Sequence, residues 1–227
     1  MDRERHYTAP GDRIVRERPV VVARYRGFTR ANHWITAGCA VILLLSGFAF
    51  FHPSLYWLTW LFGNGQFARW LHPIVGVVMA LSFLGLFVQM WRLNLPRRED
   101  AVWVGHIKDV VKSNEEALPE LGKYNAGQKL VFWGMAGLIA VLLVTGVMMW
   151  EEFFPDLVSI PVRRVALLVH ATCAVLMLLL FVLHVYAAIW TRGTFRAMTR
   201  GTVTGGWAWR HHRKWLRELV ARDVERR

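Results

Sequence analysis

Nine histidines occur in this chain: His6, His33, His52, His72, His106, His170, His184, His211 and His212. Four of them, His33, His72, His170 and His184, stand inside long apolar blocks. In such surroundings an imidazole has few uses: it holds a hydrogen bond, relays a proton or ligates a metal. The interval between His170 and His184 narrows the choice. Fourteen helical residues set the two side chains about 21 Å apart along the axis but only about 40° apart around it. Both therefore face one side of a single helix, spaced for two stacked planar cofactors. A helix bundle holds haem in this way. Two axial imidazoles leave no open position on the iron, which favours electron transfer over oxygen chemistry.

Opposing ligands must come from other helices, and the hydropathy pattern supplies them. Apolar residues make up 55% of the 227 and are gathered into four unbroken blocks, about 31–51, 71–91, 130–150 and 165–190. None contains Asp, Glu, Lys or Arg in its interior. Each is long enough for the roughly 20 residues that cross a bilayer. The net charge of +12 would point to nucleic acid in a soluble chain, but here its distribution speaks for membrane topology. Eight arginines precede the first block, seven basic residues lie between the second and third, and ten follow the fourth. Only Arg69, Arg163 and Arg164 fall in the other connections, so 25 of 28 basic residues share one side. The positive-inside rule makes that side cytoplasmic, with both termini inside. His33 then lies near the inner surface, as does His184 late in the fourth span. His72 and His170 lie near the outer one. The expectation is two depth-matched pairs, His33 with His184 and His72 with His170, each clamping a haem.

Small residues, Gly38, Ser46, Gly47 and Gly76, lie near these positions and would give a porphyrin room beside the backbone or let helices pack closely. His52, just past the first span, is the rival for an outer ligand. His6, His106, His211 and His212 are expected at the surface. Cys39 and Cys173 are isolated, with no CxxC or CxxCH pattern, so covalent haem attachment, zinc and iron–sulfur sites are not expected. The first apolar block is too long and unsuitably flanked for a cleaved signal. The polar arm, 1–30, reads as irregular around Pro10, Gly11 and Pro19, and a short surface helix fits Val104, Ile107, Val110 and Val111 in the connection 92–129.

The segments RANHW around His33, LHPIVG around His72, KYNAGQK from Lys123 to Lys129, LLVTGV in the third span, LLVHA around His170 and VLHVYAAIW around His184 resemble the gamma, or cytochrome b, subunit of membrane-bound bacterial formate dehydrogenase. The likeness runs from about residue 24 to 217, and KYNAGQK is its most specific element. The histidine pattern is shared more loosely with the cytochrome b subunits of nickel–iron hydrogenases. The resemblance implies two haem b groups on the same histidine pairs, and a menaquinone or ubiquinone site with Asn125, Gly127, Gln128 and His184. Without it, Asn125 to Gly127 would be only a turn into the third helix. It also implies an iron–sulfur beta subunit, a molybdenum- or tungsten-containing alpha subunit and a trimer of heterotrimers.

The expected fold is an all-α integral membrane protein, a four-transmembrane-helix bundle with two b-type haems. Residues 1–30 form a cytoplasmic arm, 31–190 the dihaem membrane domain and 191–227 a basic cytoplasmic tail. The expected role is electron transfer from an outer-side iron–sulfur subunit to quinone in the bacterial inner membrane, with lipid around the helices and no nucleic-acid partner. Formate chemistry itself has no residues here. A hydrogenase cytochrome or a free-standing dihaem quinone-reactive cytochrome is the alternative. A haem-free transporter or assembly subunit is the alternative of another class.

Overall fold

The computed structural model describes residues 7–112 and 114–225 and is mostly helical. His6 lies outside the described residues. In chain order the elements are β1 (Arg13–Glu17), β2 (Val20–Ala23), α1 (Gly27–Phe51), a 3-10 helix (Pro53–Phe62), α2 (Gly65–Met90), α3 (Arg98–Gly105), α4 (Ile107–Val111), α5 (Ala126–Met149), α6 (Ile160–Trp190), α7 (Thr194–Arg200), β3 (Thr202–Thr204), α8 (Gly205–His211) and α9 (Arg213–Glu225). The chain divides into two compact units. One comprises residues 31–88 and 133–185; the other comprises the segment ending at Arg30, residues 89–132 and the segment from Tyr186 onward.

The first unit is built from α1, α2, α5 and α6, which are long and apolar enough to cross a bilayer. Each helix begins four to six residues before its apolar block, because a polar first turn costs a helix nothing where water can reach its free N–H groups. Asn64 caps α2 by accepting the Phe67 N–H at 2.8 Å. The outward faces carry exposed Leu81, Leu84, Leu168 and Leu179. An apolar surface of that extent is matched by lipid rather than water. Inside, Met79, Ile139 and Met177 form a buried layer with Cys39, Leu43 and Phe83. Met177 stands midway between His170 and His184, so this layer fills the bundle between the two histidine depths. The two cysteines are free and half-buried.

The second unit contains a three-stranded antiparallel sheet in the order β1, β2, β3. This corrects the irregular arm and the purely helical expectation. Val20, Val21 and Val22 favour extended backbone, and Val22 pairs with Val203 from the tail. That partner lies some 180 residues away, and non-local pairing of this kind leaves no trace in local pattern. Val22 and Val203 are fully buried with Trp207, Trp215, Leu216 and Leu219 from α8 and α9. The surface helix expected near Val104 is present as α3 and α4, with Trp103 facing a small core of Leu121 and Ala126.

Candidate functional site

The structure brings the four membrane histidines together as two couples. His33 from α1 and His184 from α6 have ring centroids 6.2 Å apart, with planes inclined at 51°. His72 from α2 and His170 from α6 have centroids 6.3 Å apart, inclined at 62°. These separations can be compared with ligand geometry. An axial imidazole nitrogen stands about 2 Å from its metal and about 1 Å from its own ring centre, so two rings on opposite faces of one metal lie about 6 Å apart. Both couples match. Among the described residues no group of three or more His, Cys, Asp or Glu could hold a bare ion. Two imidazoles per position suit a metal that arrives with ligands of its own, as iron does in a porphyrin.

Around the His72–His170 couple the second ring nitrogens are also fixed. Ser46 Oγ donates to the Ile42 carbonyl at 2.7 Å and lies 2.8 Å from His72 Nδ1. Thr145 Oγ1 donates to the Val141 carbonyl at 2.7 Å and lies 2.8 Å from His170 Nδ1. A hydroxyl has one proton. With that proton on the carbonyl four residues back, each oxygen accepts from its histidine, which puts the imidazole proton on Nδ1 and the free lone pair on Nε2. The glycine after each hydroxyl completes the fit. A Cβ on Gly47 would meet His72 Cε1 at 3.2 Å, and one on Gly146 would meet His170 Cε1 at 3.5 Å.

The His33–His184 couple is held differently. Next to His33, Asn32 Nδ2 donates to the Ser82 carbonyl at 2.8 Å and Asn32 Oδ1 accepts from Ser82 Oγ at 2.6 Å. This clamps α1 to α2, and Gly85 makes room for it, since a Cβ there would stand 2.9 Å from Asn32 Nδ2. His33 Nδ1 is buried and meets no hydrogen-bond partner among the described residues. Of the glycines expected to make room for a cofactor, Gly38 has open space beside it and Gly76 makes ordinary contact with Leu43.

The other residues singled out in the sequence have varied fates. His52 caps the 3-10 helix, its Nδ1 accepting the Ser54 N–H at 3.2 Å, and stays exposed. Asn125 and Gln128 form a reciprocal capping box at the start of α5: Gln128 N donates to Asn125 Oδ1 at 2.8 Å, and Asn125 N to Gln128 Oε1 at 3.0 Å. Both amide oxygens are thereby occupied, and the NH2 group of each remains as a donor. Gly127 admits the Trp103 ring, which a Cβ would approach to 3.2 Å. The flanking lysines of that motif are pinned by acids, Lys123 by Asp12 at 2.6 Å and Lys129 by Asp100 at 2.6 Å.

His106 bonds the Val102 carbonyl at 2.9 Å, but His212 contradicts its expected surface position. It is 1% exposed. Its Nδ1 donates to the Gly122 carbonyl at 2.7 Å, and Arg24 Nη2 lies 3.4 Å from Nε2. The same Arg24 lies over the Trp215 and Trp207 rings. Burial, then the Arg24 guanidinium, holds the His212 imidazole well below its usual range. Burial likewise lowers Lys123, with Asp12 acting in the opposite direction. The polar partners of His212 come from the N-terminal segment and the middle connection, Arg24 and Gly122, while Trp207 and Trp215 of its own tail stand beside the ring.

Comparison with known proteins places these features in context. Residues 24–201 match the family model described as prokaryotic cytochrome b561. The chain is 43% identical over 198 residues to the formate dehydrogenase cytochrome b556(fdo) subunit of Escherichia coli strain K12, covering 87% of this chain and 93% of that protein. It is 38% identical over 204 residues to the formate dehydrogenase cytochrome b556 subunit of Haemophilus influenzae, covering 90% and 86%. It is 37% identical over 206 residues to the nitrate-inducible formate dehydrogenase cytochrome b556(Fdn) subunit of Escherichia coli strain K12, covering 91% and 95%.

Proposed function

Because the chain belongs to the prokaryotic cytochrome b561 family, we propose that this membrane electron-transfer cytochrome subunit serves a respiratory formate dehydrogenase, carrying electrons through two haem b groups to a quinone. The names of its relatives support the enzyme. The single observation that carries the two-haem reading is the pair of imidazole couples at 6.2 and 6.3 Å, in apolar blocks that contain no Asp, Glu, Lys or Arg. His72 and His170 would hold the haem nearer the outer surface, and His33 and His184 the inner one. Bound there, the haems would supply reversible one-electron storage. The chain's own residues orient the imidazoles, exclude water from between the couples with the Met79–Met177 layer, and keep each metal closed to small ligands.

The remaining assignments rest on the same resemblance. Menaquinone or ubiquinone is the acceptor, with Asn125, Gly127, Gln128 and His184 as its residues. The NH2 groups left over from the capping box suit a quinone carbonyl. An iron–sulfur subunit is the donor, and a molybdenum or tungsten subunit oxidises formate; two lone cysteines give this chain no means of building an iron–sulfur cluster. The distribution of basic residues supports both termini in the cytoplasm of a bacterial cell, with the arm, the middle connection and the tail on that side of the inner membrane.

The test is haem stoichiometry from reduced-minus-oxidised spectra of the purified chain with the four histidines replaced one at a time. The expected result is two haems per wild-type chain, with His72→Ala and His170→Ala losing one and His33→Ala and His184→Ala losing the other. A wild-type chain without a b-type signal, or single variants that keep both haems, would refute the assignment. Co-isolation with a formate-oxidising subunit rather than a hydrogenase fixes the enzyme.

A further inference from the structure

Ser46-Gly47 on α1 and Thr145-Gly146 on α5 do the same thing to two histidines on two other helices. In each dipeptide the hydroxyl proton goes to the carbonyl four residues back, at 2.7 Å, and the hydroxyl oxygen faces an imidazole Nδ1 at 2.8 Å. In each, the glycine lets that imidazole edge approach the helix. A hydroxyl satisfying its own helix would need only the carbonyl bond. The second bond, repeated at both rings of one couple, is additional. Ser46 is fully buried and Thr145 nearly so, so water does not compete for either contact.

We infer that Ser46 and Thr145 are positioning residues that set the redox potential of the metal site between His72 and His170. The inference rests on the proposed haem ligation. Each hydroxyl draws on an Nδ1–H, which fixes the tautomer, turns Nε2 toward the iron and makes it a stronger electron donor. The carbonyl behind each hydroxyl polarises it further, because the bonds run in series from imidazole N–H to Oγ–H to C=O. Stronger donation from both histidines would favour the oxidised metal and lower its potential. At the other couple, His33 Nδ1 lacks such a partner among the described residues. The hydroxyls therefore act on one site and spare the other.

The experiment is a redox titration of the full chain, reading both haems, in Ser46→Ala and Thr145→Val and in the conservative variants Ser46→Thr and Thr145→Ser. In each deletion variant the haem that His72→Ala removes should become easier to reduce, by about tenfold in the reduced-to-oxidised ratio at fixed potential, or about 59 mV for one electron. The second haem should not move, and the conservative variants should titrate as wild type. If Ser46→Ala fails to load, Thr145→Val reads the same quantity at the opposite ligand. Full haem content with both potentials unchanged overturns the hydroxyl assignment and leaves the haem reading intact, as does an equal shift of both haems. A wild-type chain without a b-type signal removes the haem reading itself.

Discussion

Replacing Asp12 by asparagine changes one atom and should unravel the polar unit. Asp12 and Lys123 are both buried, and every contact of the carboxylate is with a donor. Oδ1 takes the Lys123 ammonium at 2.6 Å. Oδ2 takes the Ala9 N–H at 2.8 Å and the Trp215 indole N–H at 2.9 Å. An amide has one accepting oxygen and one donating NH2. In either orientation Asp12→Asn therefore turns an NH2 toward a donor, facing Lys123 or facing Ala9 and Trp215 together. In both orientations it takes the carboxylate charge away from the buried ammonium, which keeps neutral acceptors such as the Arg24 carbonyl at 3.0 Å. Breaking one side of a buried ion pair costs about 3–5 kcal/mol, roughly two to four powers of ten in the folded-to-unfolded ratio. Removing both charges, as in Asp12→Asn with Lys123→Met, leaves no orphaned ammonium and should recover most of the loss.

The assay is native-state hydrogen exchange of the amides in β2, β3 and α9, which share the core around Trp215. Protection should fall in Asp12→Asn and return in the double variant. Equal protection in the single variant and the wild type would refute the claim that the charge is desolvated and paired. A double variant no better than the single one would place the loss on Trp215 and Ala9 instead.

Two further outcomes follow from the polar unit. His212 is held neutral by burial and by Arg24, with Lys123 and His211 adding to the effect, so its folded pKa lies below the ordinary 6.5. The unfolded chain then binds the proton first, and stability is lost as pH falls from 6.5 toward the folded value, by up to about 1.36 kcal/mol per pH unit; thermal melts across that range should show the slope in wild type and not in His212→Gln. At Gln128, glutamate keeps an oxygen for the Asn125 N–H but removes the amide donor. Gln128→Glu should therefore preserve folding and haem content while slowing reoxidation of the haems by added quinone about tenfold, the worth of one hydrogen bond; unchanged reoxidation would dissociate Gln128 from the quinone.

The histidine couples are legible in the sequence because two strong constraints meet in them. A bilayer fixes depth along each helix, and helix periodicity fixes direction around it. Neither constraint reaches the polar unit, where β2 depends on Thr202–Thr204 and His212 on Arg24 and Gly122. Distant partners of that kind have no periodicity to betray them. The hydroxyls were hidden for another reason. Ser and Thr in helices commonly bond the carbonyl four residues back, so Ser46 and Thr145 look ordinary unless their other lone pair is followed. Gly47 shows the same limit: its small size is visible in the sequence, but the object it makes room for is the His72 ring, brought there from another helix by the fold.

The choice of hydroxyls over carboxylates beside His72 and His170 has a physical basis in their surroundings. Metal-bound histidines often give their second N–H to a carboxylate. In an apolar helix bundle an ionised carboxylate costs several kcal/mol in desolvation, and a protonated one brings a proton that needs an acceptor. A serine or threonine places its own proton on the backbone of the helix that carries it, as Ser46 does on Ile42 and Thr145 on Val141. What is left is an acceptor without net charge and without an unmet donor. Two such acceptors fix both imidazoles of one couple while adding no charged group to apolar blocks that hold no Asp, Glu, Lys or Arg.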